Sequence, residues 1–269
     1  MDLGLSGKVA LVAGGSSGLG FAVARELAAE GAHVAIGARD RDRLDRAASA
    51  LKEVARGQVL ATSVDMNDAA AARRWVDDIA ASLGAMHILV VSGGSPPAGN
   101  AGQFAFGDYE RAVGDIVFPP VNLTLAAVPH MRAAGWGRVL FVASETASVP
   151  IPSLALSGMG RAALARFAQA MAAEVGRDGV TVNVLAPSAT RTEMVLRAAA
   201  RLSADPEIMG KHNALGRIAR PEEFAAVAAF LASERASFVT GQVYLIDGGA
   251  SVMGPELAHF TTAARDTYT

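Results

Sequence analysis

The chain contains no cysteine among its 269 residues. Disulfide bonds and thiolate catalysis are therefore excluded, and the composition is typical of a cytoplasmic protein. The first residues carry no charged segment followed by an apolar run, so we expect no signal peptide. The chain also lacks a continuous run of about 18 apolar residues, and we expect no segment to span a membrane.

The chain carries almost equal numbers of positive and negative side chains, with 24 Lys and Arg and 26 Asp and Glu. With no basic stripe in the sequence, nucleic acid is not an expected partner. No Gly/Ser/Pro-rich linker and no internal repeat divides the chain, and no cluster of His, Asp and Glu has metal-ligand spacing. We therefore expect one domain over residues 1–269 and no metal.

The sequence is built from short apolar runs that alternate with long Ala-rich helical segments. Strands that alternate with helices predict an α/β domain, a Rossmann-type doubly wound parallel sheet of about seven strands with helices on both faces. The segment 191–217 interrupts the alternation and is a candidate lid, and residues 250–269 form a C-terminal tail. The predicted strands are residues 8–13, 32–37, 58–63, 87–91, 138–143, 181–185 and 243–246. The predicted helices are residues 19–30, 41–54, 68–83, 107–134, 154–176 and 222–233.

A glycine-rich turn joins the first predicted strand to the first helix. Glycines at this point allow a tight turn, close approach of the backbone to phosphates, and close packing of helix on strand. The helix N-terminus then offers free N–H groups and the positive end of its dipole to a pyrophosphate. The turn predicts a dinucleotide site that is contacted by Gly14, Ser16, Ser17, Gly18, Leu19 and Gly20.

The second strand is followed by Arg39, where NAD-binding sites have an acidic residue for the ribose 2′-hydroxyl. A guanidinium instead suits a 2′-phosphate, so Arg39 predicts NADP (NADPH) as the cofactor. Asp40 leaves the alternative open, because its carboxylate could serve the 2′-hydroxyl of NAD.

Further motifs resemble those of the short-chain dehydrogenase/reductase family from one end of the chain to the other. The motifs include Asp65 after the third strand, Asn183 and Pro187 on the sixth, Thr192, Thr240-Gly241-Gln242 and Asp247-Gly248-Gly249. The resemblance is strongest to β-ketoacyl carrier-protein reductases. It implies that the cofactor is also contacted by Asp65, Met66, Ser92, Gly93, Arg161, Pro187, Ala189 and Thr192.

The chain departs from that family at the reacting residues. The family relay is Asn, Ser, Tyr and Lys, with the last two spaced as Tyr-x-x-x-Lys. Only the Ser is retained, as Ser144, whereas Ile116, Ser157 and Arg161 stand at the Asn, Tyr and Lys positions. Ser144, Ser157 and Arg161 are therefore the candidate catalytic residues of an atypical site.

Ser157 is a poor replacement for a tyrosine acid. A Tyr phenol has a pKa near 10, and a serine hydroxyl titrates roughly three units higher, so about 8 kcal/mol would be needed to bring it to neutrality. One arginine is not expected to supply that energy. Ser144 can polarise a carbonyl oxygen, and Arg161 can hold ribose hydroxyls or an oxyanion. Glu145 is either a proton donor or an exposed loop acid.

Two functions follow from these residues and from the resemblance. The first is reduction by NADPH of an apolar β-ketoacyl or polyketide-like carbonyl, free or carrier-bound. The apolar surplus of helices 107–134 and 154–176, together with the resemblance, implies a homotetramer. The second is a non-redox role on the same scaffold, as an isomerase, cyclase, lyase or nucleotide-binding regulator.

Overall fold

The fold was analysed in a computed structural model, which describes residues 2–201 and 205–253. The strands are β1 Val9–Ala13, β2 His33–Ala38, β3 Val59–Ser63, β4 Ile88–Ser92, β5 Gly137–Val142, β6 Val180–Pro187 and β7 Val243–Ile246. The α-helices are α1 Gly18–Ala29, α2 Arg41–Lys52, α3 Ala69–Leu83, α4 Phe106–Ala134, α5 Ala155–Val175, α6 Glu193–Arg201 and α7 Pro221–Leu231.

All seven strands pair in parallel, in the order β3-β2-β1-β4-β5-β6-β7. This arrangement confirms the predicted Rossmann-type α/β fold. The predicted strands and helices agree with the observed ones to within two residues at each end. The helix α6 lies in the segment that interrupts the alternation and was not predicted. Of the predicted tail, residues 254–269 lie outside the described residues, as do residues 202–204 of the candidate lid.

Two apolar layers cover the sheet. One layer joins the sheet to α1, α2 and α7, with Leu27, Leu44 and Phe224 fully or almost fully buried. The other joins it to α3, α4 and α5, where Trp75 and Leu123 are buried. Every residue of β1 is buried because helices pack on both faces, which explains its uninterrupted apolar run.

Helix α4 is the longest element, and its length and hydropathy would suffice to cross a membrane. Half of its apolar window is buried inside the protein, and the helix packs against α3, α5 and the sheet as a core helix does. The expectation that nothing spans a membrane stays a prediction. Pro119, Pro120 and Pro129 lie in the interior of this continuous helix. Since proline has no N–H, the carbonyls of Asp115, Ile116 and Leu125 lose their usual helical donors.

The strand order places a crevice between β1 and β4. The chain runs from β1 outward to β3 and then returns to add β4 on the other side of β1. In sheets of this topology the connections at such a point diverge to opposite faces, which leaves a ligand crevice at the carboxyl ends of the two strands.

Candidate active site and cofactor cleft

A cavity of about 650 Å³ occupies that crevice. Nine of the predicted site residues line it: Gly14, Ser16, Ser17, Arg39, Asp65, Met66, Ser92, Gly93 and Arg161. The carboxyl ends of β1, β2, β3 and β4 thus bring together the glycine turn, the arginine after β2 and the acid after β3.

The glycine turn is shaped by close approach of backbone atoms. Gly14 has φ +74°, and a β-carbon there would lie 1.9 Å from the Ser92 carbonyl oxygen. A β-carbon on Gly20 would lie 2.3 Å from the Gly14 carbonyl oxygen. The N-cap of α1 is Ser17, whose side chain makes no capping hydrogen bond. The first amides of α1 therefore remain available to an anion, which fits the pyrophosphate of a dinucleotide.

Six further predicted cofactor residues lie outside the cavity lining. They are Gly18, Leu19, Gly20, Pro187, Ala189 and Thr192. The side chain of Leu19 packs against the core beneath α1. Thr192 lies over the turn, because a β-carbon on Gly18 would be 3.7 Å from its Cγ2. Thr192 is thus close to the glycine turn although it does not line the cavity.

Two arginines line the part of the cavity that lies at the carboxyl end of β2. Arg39 follows the strand and Arg43 lies in the first turn of α2. Asp40 is the N-cap of α2, and its Oδ1 accepts a hydrogen bond from the Arg43 backbone N at 3.0 Å. The carboxylate that could serve a 2′-hydroxyl therefore already has a structural role in starting this helix.

Arg161 is buried, with 7% of its surface exposed. Its Nη1 donates to the Val142 carbonyl at 2.9 Å, and its Nη2 donates to the carbonyls of Gly93 and Gly94 at 2.8 and 2.5 Å. Burial lowers the pKa of the guanidinium to about 10, so it stays protonated at neutral pH. Arg161 therefore ties the end of β5 to the loop after β4, and its Nε is buried with no hydrogen-bond partner among the described residues.

Three hydroxyl side chains lie together beyond β5, outside the cavity lining. The Ser144 Oγ accepts a hydrogen bond from the Thr146 backbone N at 3.3 Å, and the Thr146 and Ser157 hydroxyls are 3.1 Å apart. The structure thus connects two of the predicted catalytic residues through Thr146, which the sequence analysis missed. The short spacing Ser144-x-Thr146 was the available signal, because a 3₁₀ turn at Glu145–Ala147 folds both residues back towards α5.

Glu145, the first residue of the 3₁₀ turn after β5, has an unusual environment for an acid. Burial, together with the negative charge of Asp247, raises the pKa of its carboxyl to about 7. Asp247 accepts hydrogen bonds from the backbone of Gly249 and Ser251 at 2.9 and 2.8 Å. The sequence left two alternatives for Glu145, a proton donor or an exposed loop acid. The partial burial of its side chain does not agree with an exposed loop acid.

The first turn of helix α6 lies at the mouth of the cavity. On one side the Glu193 Oε2 is 3.3 Å from the Arg43 Nη2. On the other side the Ser95 hydroxyl donates to the Met194 sulfur at 3.2 Å. Arg43 and Ser95 both line the cavity. The candidate lid therefore contacts the opening from two sides.

Comparison with known proteins gives consistent matches over nearly the whole chain. A family model described as enoyl-(acyl carrier protein) reductase matches residues 13–251. Meso-2,3-butanediol dehydrogenase of Serratia marcescens is 32% identical over 258 residues, which cover 91% of this chain and 94% of the relative. L-sorbose reductase from Gluconobacter frateurii, solved with NADPH and L-sorbose, matches with a TM-score of 0.88 and 34% identity, over 93% of this chain and 98% of its own. A short-chain type dehydrogenase/reductase from Mycobacterium ulcerans matches with a TM-score of 0.87 and 31% identity, over 93% and 92%.

Proposed function

The chain belongs to the short-chain dehydrogenase/reductase family, and we propose that it is an NADP-dependent reductase of a carbonyl compound. The observation that carries the proposal is the cleft itself. Its lining includes the uncapped N-terminus of α1 and two arginines, Arg39 and Arg43, whose charge suits a phosphorylated ribose. The nicotinamide cofactor, when bound, supplies the hydride. The protein supplies orientation and charge stabilisation.

Arg39 and Arg43 support NADP over NAD. Arg39, Asp40 and Arg43 all line the cavity, but one carboxylate oxygen of Asp40 is committed to capping α2. A guanidinium forms strong charge-assisted hydrogen bonds to a phosphate and gains less from a hydroxyl. Arg39→Ala should therefore weaken NADPH binding about tenfold or more and leave NADH binding nearly unchanged. Fluorescence titration of both cofactors tests this, and equal affinity of the unmodified protein for NADH would contradict the assignment.

Ser144 is the group we assign to the reacting carbonyl. Its Oγ accepts a hydrogen bond from the Thr146 amide, so the serine proton remains available to donate. A hydroxyl directed at the carbonyl oxygen stabilises the negative charge that develops there during hydride transfer. Solvent water delivers the final proton, because the Ser157 hydroxyl lies outside the cavity lining and is hydrogen-bonded to Thr146.

Arg161 takes a positioning role in this scheme. Its donors are engaged by the carbonyls of Val142, Gly93 and Gly94, which holds the loop after β4 against the cofactor cleft. The positive charge of the guanidinium also favours an alkoxide formed nearby. Neither effect requires Arg161 to release a proton, which it does not do at working pH.

An apolar β-ketoacyl or polyketide-like substrate, free or carrier-bound, fits the surface near the opening. Helix α6 and the 3₁₀ segment Pro206–His212 expose the side chains of Met194, Leu196, Ile208 and Met209. Exposed apolar side chains in one segment often mark a binding surface. The description of the family model names an acyl carrier protein, which supports a carrier-bound acyl group but does not bear on the keto group.

A non-redox role is the second candidate, and one specific observation favours it. Ile116 is buried and Arg161 is tied to carbonyls, so two relay positions hold no group that exchanges a proton at neutral pH. An isomerase, cyclase, lyase or nucleotide-binding regulator would not need that relay.

Stopped-flow measurement of NADPH oxidation separates the two functions. The panel includes β-keto thioesters, quinones and a ketose such as L-sorbose as the polar comparison. We expect oxidation with the apolar β-keto compounds and little with the ketose. Tight NADPH binding with no oxidation by any compound would favour the non-redox role.

We further propose a cytoplasmic homotetramer. The helices α4 and α5 leave apolar side chains exposed, with Phe106 at 77% and Phe118 at 59% exposed, and with Leu125 and Met159 also exposed. Such faces usually become buried when subunits associate.

A further inference from the structure

One ion pair at the mouth of the cleft joins α2 to α6, the helix of the candidate lid. Arg43 lines the cavity from the first turn of α2, and Glu193 is the first residue of α6. Their charged atoms are 3.3 Å apart, and both side chains are partly exposed, at 33% and 49%. The pair therefore sits at the surface of the opening, where a bound molecule can reach Arg43.

Glu193 has a second ion-pair partner besides Arg43. Its other carboxylate oxygen pairs with Arg197, one turn further along α6. If Arg43 moved to another anion, the Glu193 charge would keep a partner on its own helix. Arg43 can thus be released without leaving the carboxylate unpaired, so an exchange of partners is energetically accessible.

We propose that Glu193 is a specificity-determining residue that competes with the 2′-phosphate of NADP for Arg43. This inference rests on the proposed NADP-dependent function. A phosphate dianion pairs with Arg43 more strongly than a single carboxylate does. The 2′-hydroxyl of NAD carries no charge and does not displace Glu193. Glu193 therefore lowers the affinity for NADP and leaves that for NAD unchanged, and NADP binding removes one of the contacts that hold the first turn of α6 beside the cleft.

The first test is Glu193→Gln, which keeps the size of the side chain and removes its charge. We expect NADP to bind about two- to fivefold more tightly, the scale of one exposed ion pair, and NAD binding to stay unchanged. Asp42→Asn is the matched control, since Asp42 is an exposed acid in the first turn of α2. This change removes one negative charge from the residue next to Arg43 in the sequence, and it should change NADP affinity less than Glu193→Gln does.

A double-mutant cycle with Arg43→Gln shows whether the effect passes through Arg43. In the Arg43→Gln protein, Glu193→Gln should no longer change NADP affinity measured by calorimetry. The proposal is overturned if Glu193→Gln leaves NADP affinity unchanged, changes NAD affinity equally, or acts undiminished without Arg43. If the unmodified protein binds NADP no more tightly than NAD and Arg39→Ala has no effect, the cofactor assignment fails as well. If NADP preference holds and only the Glu193 results fail, the proposed function stands.

Discussion

Ile116 packs so closely on Gly160 that a β-carbon on the glycine would lie 2.7 Å from the Ile116 Cδ1. The contact joins α4 to α5 at the position where the family has its relay asparagine. An asparagine amide here would be buried between the two helices. The isoleucine and the glycine are thus complementary in shape, which explains why the helices approach one another closely without a polar group at that point.

Gly160→Ala should destabilise the protein by about 1–2 kcal/mol, because overpacking costs more than the gain in helix propensity. Ile116→Val removes the Cδ1 atom and should recover part of the loss in the double variant. Chemical denaturation measures both effects. An alanine variant more stable than the unmodified protein would show that the helices separate at little cost.

Arg161→Ala should destabilise the protein by about 2–4 kcal/mol, since three carbonyls lose a buried charged donor. It should also weaken NADPH binding, because the loop at Gly93 and Gly94 is no longer held. Arg161→Lys keeps the charge but cannot reach all three carbonyls. We therefore expect its free energy of unfolding and its NADPH affinity to lie between those of the unmodified protein and Arg161→Ala. Urea denaturation and NADPH titration check the two effects separately. A stable alanine variant with normal NADPH affinity would refute the positioning role.

Ser157→Ala should lower carbonyl reduction only about tenfold, the scale of one neutral hydrogen bond of around 1 kcal/mol. The hydroxyl that is lost is bonded to Thr146 and is too weak an acid to donate the proton. Ser144→Ala is the comparison and should cost more, because it removes the donor to the carbonyl oxygen. Loss of all turnover in Ser157→Ala, with normal NADPH binding, would make Ser157 a catalytic residue.

Glu145 should make the stability of the protein depend on pH. Its folded-state pKa of about 7 lies above the usual value of 4.5, so the folded protein holds this proton more tightly than the unfolded chain does. The contribution of Glu145 to the free energy of unfolding is therefore fully present below about pH 4.5 and is lost as the pH rises through about 7. After allowance for solvent screening, the loss is about 1–2 kcal/mol.

Glu145→Gln should remove that dependence and make the protein more stable at pH 8. Glu53→Gln, a change at an exposed acid, is the control and should leave the pH profile as it is. Thermal unfolding between pH 5 and 8 measures both variants. The same pH profile in Glu145→Gln as in the unmodified protein would contradict the assigned environment.

Several predictions from sequence depend on short segments of chain, and these agree with the structure. The run Val9–Ala13 followed by Gly14 and α1 forms the expected strand, turn and helix. The alternation of strand and helix predicted the parallel sheet, because each element carries its own periodicity and must bury its apolar face. Helix α6 was missed because it lies in a segment that breaks that alternation.

The sequence by itself determined the order of the elements, the glycine turn after β1 and the absence of a Tyr-x-x-x-Lys pair. Only the tertiary structure decided what the polar side chains contact. Arg161 donates to the carbonyl of Gly93, which lies 68 positions earlier in the chain, and Glu193 lies against Arg43 because α6 begins beside the opening of the cleft. Local periodicity encodes which face of a helix or strand is buried. The partner of a charged group depends on how elements that are far apart in the sequence pack together, and this packing cannot be predicted from a short segment of sequence.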